Sequence, residues 1–522
     1  MNGGQGGPNP TWNVDGNAFN FDGADTSAAE TTGDDAEPVQ NSVAGVFAFT
    51  DAANGDFNGI FKGQAAEAPA KYPGDPRWAY TYEIAPTDIV INAEDITDGN
   101  ITAAITAKTE GVAKVGDITI NLAAGDYTIS ASIVAPASFT LNGNGATIDA
   151  SALDAAMITT PTGDLAEWME GNFTVKDVTV KGLTKAFYAS AGKNYLYNDF
   201  LIQNCVIELA GTAGNDFDFR KGGVAKNFTI DQSTIYAPAA TTNSLYTSQS
   251  AQRGTEAPGV TMQTFSITNS TLYNIAKAKN FFTHRQANQT WLAYTIKNSV
   301  FVNVGKSGQV VKGINQGQSG ANPTWDIEGN VFNFDGADTS AAESTGDEAE
   351  PVTGSIAGII TFTDAANGDF TPTLLLAPGS MSAPESIGDP RWIPLTLVGS
   401  YSITVDENIE NGTVKADAPY AAVGTEIKVT ATPAADYELE TLYYEIEGDN
   451  GIYEITDGKF DMPNGNVTIK ATFKSTATGI SSIENGQLTI DNDAPAYNLA
   501  GQKVSNSYKG VVIKNGRKVV IK

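Results

Sequence analysis

One histidine, a few cations and two closely spaced aspartates carry whatever chemistry this chain could perform. His284 is the single histidine and Cys205 the single cysteine, so a Cys/His zinc site and an internal disulfide are both excluded. A Ser-His-Asp triad would have to use His284, and no Gly-x-Ser-x-Gly elbow accompanies it. Asp216 and Asp218 lie two apart on an expected strand and therefore share a face, a placement that could hold calcium. Asp364-Ala-Ala-Asn-Gly-Asp369 and its twin, Asp51 to Asp56, set two carboxylates and an amide around a glycine. That pattern could also bind calcium, but the expected reading is a plain Asx turn.

The cations fall into a pattern when the chain is read as stacked coils. A second apolar segment begins in successive coils at Phe187, Phe217, Leu245, Phe281 and Val310. Three residues in, the expected column reads Ser190, Arg220, Ser248, His284, Gly313. One further, it reads Ala191, Lys221, Gln249, Arg285, Ile314, with Lys312 at its edge. Coils stack about 4.8 Å apart, so Arg220 and His284 would lie roughly 10 Å apart. In so acidic a protein a basic strip is a candidate face for a uronate-bearing polysaccharide. Arg220 or Lys221 would serve as base and His284 as acid, while Arg285, Lys312 and Ser248 contact substrate. The competing reading is a solvated charge ladder that offsets Asp216 and Asp218.

The elements behind this strip come from a recurring eight-residue phrase. Phe173-Thr-Val-Lys-Asp-Val-Thr-Val180 returns starting at Phe200, Phe228, Phe265, Tyr294 and Trp325. Positions one, three and eight are apolar, so one face of a strand is buried. Position five is polar or Gly and position six small or polar, which reads as a turn into a second short strand. A phrase in fixed register, with no helical pattern between its copies, predicts an all-β solenoid whose coils bury their faces by stacking. Cys205, at position six, is expected to be a small buried thiol.

A longer repeat overlies this one. Residues 22–30 recur as 335–343 and residues 49–57 as 362–370, both at an offset of 313; Gly74-Asp-Pro-Arg-Trp78 recurs as Gly388 to Trp392, at 314. Met1 aligns with Ile314, so residues 1–84 are expected to be the end of a preceding unit whose front lies upstream, with a signal peptide further still. The alternative is a short cap that shares the closing sequence.

Lys plus Arg number 31 against 60 Asp plus Glu, a net charge of −29, which argues against nucleic acid as partner. No run of about 18 apolar residues exists to span a membrane as a helix.

Three stretches resemble known families. Asp117-Ile-Thr-Ile-Asn-Leu and Phe139-Thr-Leu-Asn-Gly-Asn-Gly resemble the opening coils of the pectate-lyase-like right-handed parallel β-helix, and Ile101-Thr-Ala-Ala-Ile-Thr-Ala107 resembles the helix that plugs its open end. The whole unit, with its Gly-Asp-Pro-Arg-Trp close, resembles uncharacterised domains of Bacteroidota surface proteins. Pectate lyases of that superfamily bind calcium through acidic side chains on a strand face, and no complete calcium-plus-base motif is matched here. Gly424-Thr-Glu-Ile-Lys-Val-Thr-Ala-Thr-Pro433 and Phe460-Asp-Met-Pro-Asn-Gly-Asn-Val resemble the divergent internalin B-repeat-like module, a β-rich spacer with Val429, Ala431, Val467, Ile469 and Ala471 on its core face. Ala496-Tyr-Asn-Leu-Ala-Gly-Gln-Lys-Val504 and Tyr508-Lys-Gly-Val-Val-Ile-Lys-Asn-Gly-Arg-Lys518 resemble the type IX secretion C-terminal sorting domain. Leu488 and Ile490 alternate with polar residues before it, and Asn515-Gly516 is a two-residue hairpin turn.

The expected organisation is residues 1–84, the end of a β-helix unit; 85–396, a complete unit; 400–474, the spacer; and 478–522, the sorting domain. The expected role is a secreted or surface-displayed protein that binds or processes polysaccharide and is exported by the type IX machinery. A structural stalk or adhesin and a polysaccharide lyase are the alternatives. No cofactor beyond calcium is implied.

Overall fold

The computed structural model describes residues 17–26, 43–69, 74–136, 138–211, 215–239, 244–249, 259–260, 262–285, 291–308, 310, 324–340, 354–380, 386–476, 495–505 and 507–522. The chain falls into two compact units: residues 1–403 with 418–426 and 461–466, and the remainder.

The eight-residue phrase becomes two strand pieces joined by one left-handed residue. Position five is Asp177, Asn204, Gln232, Asn269 and Asn298 in successive coils, with φ of 56, 50, 48, 48 and 50°. Asn and Asp tolerate this region better than other side chains, and the last phrase uses Gly329 instead. The corner turns the chain from a first wall of parallel strands to a second, both part of one 16-stranded sheet. The fold is all-β and solenoid-like, a parallel β-helix.

On the first wall Phe173, Phe200, Phe228, Phe265, Tyr294 and Trp325 pair in parallel register, as the phrase alignment requires. Their rings stack through the interior: Phe173 and Phe200 lie 4.0 Å apart and parallel to within 1°, Tyr294 and Trp325 4.9 Å apart at 20°. Each such pair adds about 0.5–1.5 kcal/mol beyond its burial.

Position six carries a buried hydrogen-bond ladder. The amides of Cys205, Ser233 and Ser270 donate to the hydroxyls of Ser233, Ser270 and Ser299 at 3.0, 3.2 and 3.1 Å, and the Ser299 amide donates to Asn330 Oδ1 at 3.0 Å. Each serine hydroxyl in turn donates to the carbonyl two residues before it. The corner frees a backbone amide from strand pairing, and the next coil's side chain satisfies it. Cys205 is fully buried in this ladder, as expected, and burial pushes its thiol up to about 12.

The helix Ile101–Thr109 is capped by Asn100, whose side chain accepts from Ala103 N at 3.0 Å. Ile101 and Ala104 join the same core as Ile89, Ile91 and Ile118, so the helix packs against the first strands, as the resemblance implies.

A third wall closes the coil. It is a six-stranded parallel sheet of Ile133–Val134, Ile158–Thr159, Tyr188–Ala189, Phe217–Phe219, Tyr246–Gln249 and Phe282–Arg285.

The second wall is covered from outside by a closing segment. Strands Gly358–Asp364, Asp369–Leu376 and Thr396–Val398 form a small sheet. Its Ile360 and Leu374 bury with Val300 and Val331, and Phe370 buries against Tyr236 and Val206. The Gly-Asp-Pro-Arg-Trp stretch then clamps the wall. Asp389 accepts from Thr234 Oγ1 at 2.8 Å and its amide donates to Thr271 Oγ1 at 3.1 Å. Arg391 donates to the Asn204 carbonyl at 2.9 Å, and the Trp392 indole N–H to Thr234 Oγ1 at 2.7 Å.

In the second unit, Gly412–Ala416 pairs antiparallel with Glu426–Pro433, and Tyr437–Ile446 with Val467–Ser475. Val429, Val467, Ile469 and Ala471 are buried and Ala431 is half-buried, matching the expected core face. Ala496–Asn498, Lys503–Val504, Gly510–Lys514 and Arg517–Ile521 make a four-stranded antiparallel sheet. Asn515 and Gly516 turn its last hairpin with φ of 51 and 68°. Leu488 and Ile490 lie outside the described residues.

Candidate functional site

The third wall carries the residues singled out for chemistry, with one change of register. Phe217 pairs with Tyr246 and Phe219 with Ser248, which pairs with His284. The column of His284 therefore runs through Ser248 and Phe219. Arg220, next in the chain, falls level with Gln249 and Arg285, and Lys221 one position beyond. The expected Arg220–His284 column is thus replaced by an Arg220–Gln249–Arg285 column. The cause is Asp216: it precedes Phe217 in the slot filled by Leu245 and Phe281 in later coils, and an alignment on apolar residues passes over a carboxylate there. Lys312, Gly313 and Ile314 lie outside the described residues. Ser248, expected to contact substrate, is 1% exposed and buried in the coil.

Alternation on the wall sets what faces outward. Phe217 and Phe219 are buried, so Asp218 between them points away from the core. Its column continues through Thr159, Ala189, Thr247 and Thr283, of which Thr247 is itself buried. Arg220 folds back over Asp218: Nε lies 2.9 and 3.0 Å from the two carboxylate oxygens and Nη2 2.6 Å from Oδ2. The hydrogen bonds to Asp218 push the Arg220 guanidinium above its already high value, so it stays a cation. Half of the Arg220 side chain remains exposed, against 16% of Asp218. Along the same side, Lys193 pairs with Asp164 at 2.8 Å, and that pairing, with a smaller pull from Lys221, lowers the Asp164 carboxyl. The strip is a mixed ladder of fixed ion pairs.

Asp216 shares strand parity with Asp218 but a different environment. It is 6% exposed, its Oδ2 has no hydrogen-bond partner, and burial drives its carboxyl well above the usual range. Asp216 thus lies buried behind the wall while Asp218 is held by Arg220, so the two carboxylates expected to act together sit in different environments. Among the described residues no group of three or more His, Cys, Asp or Glu side chains gathers. The two acidic loops fold as turns. Asn367 Nδ2 donates to Asp364 Oδ2 at 2.8 Å, Asn54 does the same to Asp51 at 2.7 Å, and Gly368 and Gly55 close each turn at φ 84°.

The clamp residues Asp389, Arg391 and Trp392, and their partners Thr234 and Thr271, are the polar cluster that chemical reasoning passed over. The recurrence of Gly-Asp-Pro-Arg-Trp was the available signal.

Two family models match. Residues 401–477 match the divergent InlB B-repeat domain, and residues 95–238 match a domain of unknown function, DUF4957. These matches support a repeat-containing protein of surface type. No curated protein and no solved structure matches the chain. No helix among the described residues is long and apolar enough to cross a membrane.

Proposed function

We propose that the protein is a secreted or surface-displayed β-helix that binds polysaccharide at its third wall without cleaving it. The observation that carries the reading is the Arg220–Asp218 pair. A bidentate partner fixes the guanidinium, leaves half the side chain in solvent and raises its pKa, which suits binding and opposes service as a base. Lys221 beside it and Arg285 two coils along would add attraction for uronate carboxylates. A lyase of the pectate-lyase-like kind would need a base that this pair does not supply.

The test is calorimetric or glycan-array binding of acidic and neutral polysaccharides to wild type and to an Arg220→Ala, Arg285→Ala variant. Loss of binding in the variant supports the site. Equal binding by both, or none by wild type, rejects it. An absorbance rise from unsaturated product, lost in the variant, would move the protein to the lyases.

A structural stalk is the second reading, favoured by the twin closing segments at an offset of 313. In either role, export through the type IX machinery of a Bacteroidota cell would depend on residues 478–522. Deleting them should leave the coils folded and the protein in the periplasm. Normal surface display of the deleted form rules this out.

A further inference from the structure

The described residues between 17 and 63 repeat three side-chain bonds of the closing segment. Asn20 donates to the Gly45 carbonyl at 2.6 Å and accepts from Phe47 N at 2.9 Å, while Asp25 accepts from Gly45 N at 2.8 Å. Asn333, Gly358, Ile360 and Asp338 make the same three bonds at 2.8, 2.7 and 3.0 Å. Each sheet has an antiparallel first pair and a parallel third strand.

What lies on the two faces differs. Phe370 is fully buried, with Tyr236, Tyr273 and Trp392 rings 5.0, 5.7 and 5.8 Å away. Its twin Phe57 packs on Phe49 and Trp78 but is 37% exposed, beside Phe49 at 42%. The Asp389 side chain is wholly buried between Thr234 and Arg391, whereas that of Asp75 is 35% exposed and holds Arg77. An aromatic face of this size, with an ion pair at its edge, is a surface built to be covered.

We infer that the face of Phe49, Phe57, Asp75, Arg77 and Trp78 is a docking surface for the wall of a β-helix unit other than residues 87–340. The partner's chemistry is read from the wall that the twin covers: two stacked threonines, as Thr234 and Thr271, two stacked tyrosines, as Tyr236 and Tyr273, and the carbonyl of a left-handed Asn, as Asn204. The wall of residues 87–340 is already closed by its own segment, so the occupant is a different unit. Asp75 would take one threonine hydroxyl, Trp78 would donate to the same oxygen, and Arg77 would reach the corner carbonyl.

The test offers this face a wall of that kind. In the full chain, residues 358–392 are replaced by residues 45–78. The chimera is expected to melt within about 3 °C of wild type, the shift that a change of about 1 kcal/mol produces in a domain of this size. Asp75→Ala should then lower its melting temperature as Asp389→Ala does in the wild type. The same Asp75→Ala at its native position should change nothing. A chimera that fails to fold, or one insensitive to Asp75→Ala, overturns the inference and leaves the face for a partner of another kind.

Discussion

Asp216 occupies a slot that in later coils holds Leu245 and Phe281, and replacing it by asparagine isolates what its carboxyl does. In the unfolded chain the group titrates near 3.8; in the coil, burial raises it well above that. The folded state therefore keeps a proton that the unfolded state releases. Stability from this group is fully present below about pH 3.8 and is lost as pH rises toward the folded value, at about 1.4 kcal/mol per pH unit. The limit is a tenfold change in the opening equilibrium for each pH unit over which the folded carboxyl keeps the proton that the unfolded one has released. The side chain of the Asp216→Asn variant would not titrate, and its unpartnered amide would add a penalty that does not change with pH.

The assay is native-state hydrogen exchange at the amides of Tyr188 and Phe217, which bond to the Asp216 and Leu245 carbonyls at 3.2 and 2.8 Å. Intrinsic exchange depends on pH, but it cancels in the ratio of wild type to the Asp216→Asn variant at each pH. That ratio should grow as pH rises above the unfolded value near 3.8, with wild type opening more easily at the higher pH. A ratio that stays flat would mean that the carboxyl titrates alike in both states, and the assignment of Asp216 to a dry slot would be wrong.

Two further substitutions probe what holds the coils together. Ser270→Ala removes the acceptor of the Ser233 amide and strands a buried N–H, which should lower unfolding free energy by about 1–3 kcal/mol in urea titrations; Ser270→Thr, which keeps a hydroxyl, should recover part of that loss. Asp389→Ala removes a buried carboxylate from Thr234 and Arg391. Because the Arg391 side chain is still 30% exposed, the cost should fall below that of a fully buried pair, near 2–3 kcal/mol, read as faster exchange in Thr234–Tyr236 and Thr271–Tyr273.

How much of this was legible depends on which part of the coil is considered. Between the first and second walls the connection is one left-handed residue, Asp177, Asn204, Gln232, Asn269 or Asn298, and the count from position one to position eight never changes. Sequence spacing therefore transmits register without error, and the ring stack from Phe173 to Trp325 could be aligned from the chain alone. Between the second and third walls no such count exists. Eight residues separate Val180 from Tyr188, ten separate Ile207 from Phe217, and eleven separate Ile235 from Tyr246. There the only guide is apolarity, and it fails where a carboxylate takes an apolar slot, so Asp216 was passed over and Arg220 was set one column from its place. The clamp was hidden for a different reason. Its contacts join Asp389 to Thr234 and Trp392 to the same hydroxyl, more than 150 residues apart in sequence, and no local spacing encodes them. What the sequence did carry was the pentapeptide written twice. Its two copies now stand in opposite environments, one sealed against a wall and one open. The same five residues therefore report that closing a coil is a function of the wall they meet as much as of the segment itself.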